Sequence, residues 1–232
     1  MNNEEISRKL IRGLSDGQVI GVLWSGGKSS SVLWDIVHSE LDDYDTIFVD
    51  HGKHPIETHN LMHKMFRAGN FKPKIWMNRD KLSRVEIDQE TGIGMIEGRK
   101  YDMRDAIVRK WLYDDVLTEH ISYNYDVILA GDRMARRDEN QYLNFIEFGY
   151  PSHLNGAQTV IARPLLNWSE HEVWQYLSDK GITVNERYGM GWRVVDYSDD
   201  IKSGDKPAWE YPEEYNEESD RIDALIRDNP IS

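Results

Sequence analysis

Cysteine is absent from the 232 residues of this chain. Without a thiol, the chain cannot form a disulfide, a thiolate nucleophile, a Cys-x-x-Cys redox pair or an all-cysteine iron–sulfur cluster. Long apolar runs are missing as well, because no stretch reaches the roughly 20 residues that a membrane-spanning helix needs. We therefore expect a cytoplasmic protein that is not bound to a membrane and whose chemistry uses no cysteine of its own.

Positive charge is scarce, with 28 Lys and Arg against 41 Asp and Glu and a formal net charge of −13 at pH 7. Such a charge repels phosphate backbones over much of the surface, so direct binding to nucleic acid is not expected. Hydrophobic residues make up 39% of the chain, which is enough to form a core and excludes disorder of the whole. The length suits one main domain.

Short apolar runs alternate with segments of helical periodicity. Five runs have the composition of buried strands, at residues 18–24, 46–50, 74–77, 126–130 and 158–162. Helical spacing is found at residues 30–41, 55–68 and 102–120, and a further helix begins at Ser169, where Glu172 completes a capping box. This alternation predicts an α/β fold, with a parallel Rossmann-like sheet of about five strands and helices on both faces.

The composition changes near residue 196, after which acidic side chains greatly outnumber basic ones. We expect a main domain at residues 1–195 and an acidic C-terminal extension at residues 196–232. Charge runs are usually solvated, so the extension is interpreted as a loop and a surface helix. Trp209 and Tyr211 indicate that part of it packs.

The sequence Ser-Gly-Gly-Lys-Ser-Ser at residues 25–30 stands directly between a predicted strand and a predicted helix. Two adjacent glycines let backbone N–H groups curve around an anion, and a helix N-terminus adds partial positive charge. Serine hydroxyls and Lys28 complete a phosphate cradle. The spacing is not that of a Walker A loop. The alternative is a plain strand-to-helix turn capped by Ser25.

Three further segments follow in order: Phe-Val-Asp-His-Gly at residues 48–52 with Glu-Thr at 57–58, Gly-Asp-Arg-Met-Ala-Arg-Arg-Asp-Glu at 131–139, and a C-terminal set at 163–168, 172–176 and 185–191. With residues 25–30 they resemble the PP-loop (adenine nucleotide alpha hydrolase) superfamily, in the branch of the phosphoadenylyl sulfate (PAPS) reductases and the small subunit of sulfate adenylyltransferase. The resemblance spans roughly residues 18–192. Ser29 and His51 stand where that family usually has Asp and Thr.

The resemblance implies an enzyme that binds ATP and cleaves it at the α-phosphate, giving an adenylylated product or AMP together with pyrophosphate. The reductases of this branch need a catalytic cysteine, which this chain lacks, so thiol-dependent reduction is not expected. Two alternatives stay open, a cysteine-less sulfonucleotide-binding protein and a non-catalytic nucleotide-binding module of a larger complex. The expected partners are a nucleotide, a small-molecule acceptor, and either a protein subunit or a second copy of the chain.

The candidate site residues lie in the four motifs, mostly at the ends of predicted strands, where ligands of open α/β sheets collect. The residues with an implied catalytic role are Lys28, Arg133, Arg137 and Arg163. The residues with an implied nucleotide-binding role are Ser25, Gly26, Gly27, Lys28, Ser29, Ser30, Asp50, Gly52, Gly131 and Arg136. Asp50 is also the expected ligand of Mg²⁺. The alternative for the arginines is ion pairing with neighbouring carboxylates, including Asp132.

Overall fold

The computed structural model of the protein describes most of the segments that carry these motifs. The described residues are 2–50, 54–69, 71–77, 85–87, 93–96, 99–102, 121, 124–134, 145–151 and 158–191. The predicted helix at residues 102–120 and the acidic extension at residues 196–232 lie outside them, apart from Asp102. The predicted division of the chain into two parts therefore stays a prediction.

Strands and helices alternate along the described residues. The strands are β1 (Ile20–Leu23), β2 (Asp45–Val49), β3 (Lys74–Trp76), β4 (Val85–Ile87), β5 (Ile93–Ile96), β6 (Arg99–Asp102), β7 (Val127–Leu129), β8 (Ile146–Pro151) and β9 (Gln158–Ala162). The α-helices are α1 (Asn3–Ser15), α2 (Lys28–Glu40), α3 (Ile56–Arg67) and α4 (Glu170–Lys180), and a 3-10 helix follows at Glu186–Met190.

The main sheet has six strands in the order β3-β2-β1-β7-β9-β8. The first five are parallel to their neighbours, and β8 pairs antiparallel with β9. The five parallel strands coincide with the five predicted apolar runs, so the predicted fold class is confirmed. The sequence analysis did not predict β8, nor the separate antiparallel sheet of β4, β5 and β6.

The order in which the chain adds strands reverses between β1 and β7, which makes this place the topological switch point of the sheet. From β1 the chain continues to β2 and β3 on one side, and it returns through β7 and β9 on the other. Ligands of open α/β sheets bind outside the carboxyl ends of the strands at such a switch point. The loop after β1 is the glycine loop at residues 25–30, and the loop after β7 begins at Ala130.

The core lies on both faces of this sheet. On one face, Ile20 and Val22 of β1 pack with α1, α2 and α4 in the largest cluster of buried side chains. On the other face, Ile47 of β2 and Ile128 of β7 pack with Tyr125. Strands buried on both faces need apolar side chains at successive positions, which is why their sequences show runs rather than alternation.

Helix ends follow local rules. The predicted capping box at the start of α4 is present, because Ser169 Oγ accepts from the Glu172 amide while the Glu172 carboxylate accepts from the Ser169 amide. Gly181 ends α4 with a φ of +62°. Asn2 and Glu5 form a second capping box at α1, a helix that the sequence analysis did not predict. Across the described ranges, every helix is too short or too polar to span a bilayer.

Candidate functional site

The glycine loop follows the central strand β1, and its residues 28–30 already form the start of α2. Gly26 has a φ of +81°, and a Cβ placed on it would lie 2.8 Å from Thr58 Cγ2. Both facts require glycine at this position, because other residues rarely adopt this conformation and the added atom would clash with α3. Gly27 is the N-cap of α2, where it offers no side-chain cap to the first-turn amides.

Two serines brace the loop from within. The Ser25 amide donates to Ser30 Oγ at 3.2 Å, and Ser30 Oγ donates in turn to the Gly27 carbonyl at 2.9 Å. These bonds tie residues 25 and 27 to Ser30 in the first turn of α2, so residues 25–30 form one compact turn. The predicted cradle is therefore held in shape by its own hydroxyl groups.

Lys28, the first residue of α2, is only 1% exposed. Its Nζ lies 3.1 Å from Glu170 Oε1 and sits 5.0 Å and 5.5 Å from the ring centroids of Tyr188 and Trp174. Its amide donates to the Tyr188 hydroxyl at 2.9 Å. The glycine-loop motif predicts phosphates as the partners of the Lys28 amine. In this structure the amine is held by a carboxylate and two aromatic rings.

Gly131 brings the loop after β7 against the glycine loop. A Cβ on Gly131 would lie 3.1 Å from the Ser30 nitrogen and 3.2 Å from the Ser29 carbonyl carbon. This close approach lets Arg133 reach α2, where its Nε donates to Ser29 Oγ at 3.0 Å. Arg133 is 1% exposed and also pairs with Glu170. Positions 28, 29 and 133 therefore lie close together at this edge of the sheet.

The remaining predicted residues are distributed along the same edge of the sheet or fall outside the described parts. Arg163 directly follows β9, is mostly buried, and donates through Nε to Asp132 Oδ2 at 3.1 Å, an ion pair that the sequence analysis had named as an alternative. Asp50 directly follows β2, and its amide donates to the Trp76 carbonyl at 2.7 Å. Gly52, Arg136 and Arg137 lie outside the described residues.

A metal site built by the protein alone is not found in the described segments, where no three His, Cys, Asp or Glu side chains are grouped. Mg²⁺ often takes only one or two protein carboxylates and completes its shell with substrate phosphates and water. Asp50 follows β2 at the same carboxyl edge as the glycine loop, and its carboxylate has the chemistry of such a ligand. Its role as a metal ligand remains a prediction.

The sequence analysis missed Glu170 as a site residue. The capping box predicts that α4 begins at Ser169, and this puts Glu170 in the first turn of the helix. Nothing local says that this turn meets the first turn of α2. Trp174 and Tyr188 stand in the recognised motifs, and the structure places both rings against Lys28.

A glycine loop follows the central strand at a switch point of a parallel sheet, with the buried side chains of Lys28 and Arg133 beside it, and this arrangement is typical of α/β proteins that bind phosphate groups. Comparison with protein families agrees, because residues 19–197 match the phosphoadenosine phosphosulfate reductase domain. The match covers well over half of the chain, and the chain belongs to this family.

The proteins that resemble this chain include two that are named as reductases. Adenosine 5'-phosphosulfate reductase of Staphylococcus epidermidis is 25% identical over 180 residues, which cover 74% of this chain and 65% of the relative's length. Among solved structures, PAPS reductase from Candida auris in a phosphate complex has a TM-score of 0.54 at 17% identity, covering 84% of this chain and 87% of that one.

Two neighbours named as synthetases share the fold over nearly the whole chain. Yeast FAD synthetase in complex with FAD has a TM-score of 0.58 at 13% identity, covering 94% of this chain and 88% of that one. NMN synthetase from Francisella tularensis has a TM-score of 0.55 at 14% identity, covering 100% and 89%. At these identities the likeness concerns the fold.

Proposed function

We propose that this protein binds ATP at the carboxyl edge of the sheet, where the loops after β1 and β7 meet, and cleaves it at the α-phosphate. The observation that carries the proposal is the meeting of the glycine loop, the N-terminus of α2 and two buried cations, Lys28 and Arg133, at the switch point of the sheet. Amide groups and fixed cations at a helix N-terminus are suited to oligophosphate binding.

The proposed reaction is adenylyl transfer. An acceptor oxygen attacks the α-phosphorus, the bond to the oxygen bridging the α- and β-phosphates breaks, and pyrophosphate leaves with the electron pair. The protein would contribute fixed donors that stabilise the charge developing on these oxygens. The loop amides and Lys28 would hold the β- and γ-phosphates, and Arg133, Arg137 and Arg163 would face the α-phosphate and the leaving group. Mg²⁺ held by Asp50 would supply further charge neutralisation.

The relatives named as reductases raise a second candidate, binding of a sulfonucleotide such as adenosine 5'-phosphosulfate. The family match and the Staphylococcus epidermidis relative favour it. The 232 residues contain no cysteine, so we propose that this chain does not carry out thiol-dependent reduction. In this alternative the pocket keeps the ligand of the reductases without their chemistry.

Product analysis tests the first proposal. Phosphorus NMR of ATP incubated with the protein, Mg²⁺ and a panel of oxyanion acceptors should show pyrophosphate, together with AMP or an adenylylated acceptor. ADP and orthophosphate as the products would refute cleavage at the α-phosphate. Calorimetry with ATP, adenosine 5'-phosphosulfate and PAPS separates the two candidates, because only the first expects ATP to bind most tightly.

The acceptor, and a partner that is either another subunit or a second copy of this chain, are parts of the same proposal. The chain spans 65% of the length of the curated relatives that it matches. Their whole activity is therefore not transferred to it. A cytoplasmic location likewise stays a prediction, and a fluorescent fusion in cells would test it.

A further inference from the structure

Glu170 connects the two cations of the site. Its carboxylate accepts from Lys28 Nζ at 3.1 Å and from Trp174 Nε1 at 3.0 Å through Oε1, and from Arg133 through Oε2. The donors belong to α2, to the loop after β7 and to α4 itself. One side chain therefore joins the first turn of α2 to the loop after β7.

Because these side chains are largely buried, their contacts restrict the conformations that they can adopt. Lys28 and Arg133 are each 1% exposed, and the Glu170 side chain is 13% exposed. Long cationic side chains lose rotamer entropy when they are fixed, so a site that relies on them benefits from a group that fixes them beforehand. Glu170 also lies in the first turn of α4, where the helix dipole stabilises a negative charge.

Arg133 shows what this fixation achieves. One side of its guanidinium pairs with Glu170, and its Nε donates to Ser29 Oγ in the glycine loop at 3.0 Å. The planar guanidinium is thereby held at two points. The carboxylate of Glu170 is thus one of the groups that hold Arg133 against the loop.

We propose that Glu170 is a positioning residue of this site, which orients Lys28 and Arg133 for an oligophosphate ligand. The proposal rests on the proposed function for the identity of the ligand. The orientation of Arg133, in contrast, is a property of the ligand-free protein and can be measured without any ligand.

The first measurement is the nitrogen-15 NMR signal of Arg133 Nε–H in the free protein. In the parent we expect a resolved signal that exchanges slowly with water. In Glu170→Gln, the Arg133 Nε–H proton should exchange with water at least tenfold faster than in the parent. Asp179→Asn is the matched control, because it removes one charge from an exposed position of α4 and should leave the signal unchanged. An unchanged signal in Glu170→Gln would overturn the proposal.

The second measurement is ATP affinity by calorimetry. Glu170→Gln should weaken binding at least tenfold, and Asp179→Asn should not change it. Equal or tighter binding by Glu170→Gln would refute the positioning role and leave the proposed function intact, and tighter binding would indicate that the carboxylate competes with the ligand. A parent that binds no ATP refutes the proposed function, and the Arg133 signal then decides the role of Glu170.

Two further variants separate positioning from general stability. If Glu170→Gln fails to fold, Glu170→Asp keeps the charge but is one methylene shorter, so it should retain the fold and show an intermediate Arg133 signal. A parent-like signal would count against the proposal. In an Arg133→Ala background, Glu170→Gln should weaken ATP binding clearly less than in the parent. The same loss in both backgrounds indicates a purely structural effect and also counts against positioning.

Discussion

Gly131 offers a sharp test of how the two loops of the site are packed. Gly131→Ala would place a Cβ 3.1 Å from the Ser30 nitrogen and 3.2 Å from both the Ser29 carbonyl carbon and the Ser30 Cα. All three neighbours are backbone atoms of the first turn of α2, and none can rotate away as a side-chain tip would. The helix or the loop must therefore move by a few tenths of an ångström.

The expected cost follows from this geometry. Inserting a methyl group into a well-packed region costs about 1–3 kcal/mol. For a chain of this size each kcal/mol lowers the melting temperature by roughly 2–4 °C. Gly131→Ala should therefore melt roughly 2–12 °C below the parent. It should also weaken ATP binding, because the same displacement separates Arg133 from Ser29.

A second glycine supplies the control. Gly13 lies in α1, and a Cβ placed there has no neighbour within 4 Å. Gly13→Ala should raise stability by up to about 1 kcal/mol, since alanine favours the helix over glycine. Thermal unfolding followed by circular dichroism measures both variants. If Gly131→Ala melts at or above the melting temperature of the parent, the two loops are not packed as closely as described.

Three other predictions concern acid stability, backbone conformation and the arginine loop. The hydrogen bond from Arg8 holds the pKa of Glu40 below its ordinary value, so the stabilisation by the Glu40 carboxylate is present above pH 4.5 and is lost as the pH falls through the lowered pKa. Glu40→Gln should therefore be less stable than the parent above pH 4.5, and the difference in unfolding free energy should shrink as the pH falls below that value, as chemical denaturation across pH would show. Gly26→Ala should destabilise by more than about 1–2 kcal/mol, the cost of a left-handed alanine, because its Cβ also meets Thr58, and a parent-like urea midpoint would contradict this. Arg137→Ala should leave the ligand-free melting temperature nearly unchanged and abolish the stabilisation by ATP, whereas the reverse pattern indicates a structural ion pair.

Local sequence signals located the loop and helix starts of the site well. Adjacent glycines before a helical pattern indicated the turn at residues 25–30, and Ser169 with Glu172 indicated the start of α4. Such signals can be detected because capping and turn formation involve residues within about one helical turn of each other. The same signals could not indicate that Lys28 lies against Glu170, since the pair depends on how two distant helices pack.

Antiparallel strands were the main omission in the fold. The strand β8 carries Glu147 and Gly149 among its apolar residues, and β6 reads Arg-Lys-Tyr-Asp. These patterns lack the continuous apolar run of a strand buried on both faces, so they resemble loops. Pairing with a neighbouring strand supplies their backbone hydrogen bonds, and this pairing exists only in the folded chain.

The sequence by itself determined the five parallel strands, the glycine loop and the family, because each depends on composition and spacing within short segments or on motifs in a recognisable order. Only the tertiary structure decided which charges meet. Lys28, Arg133 and Glu170 are far apart in the chain, and crossover connections bring them to one edge of the sheet. A buried cation needs a compensating group, but its residue type does not say which carboxylate that will be. The packing of α2 against α4 and the close approach at Gly131 make that choice.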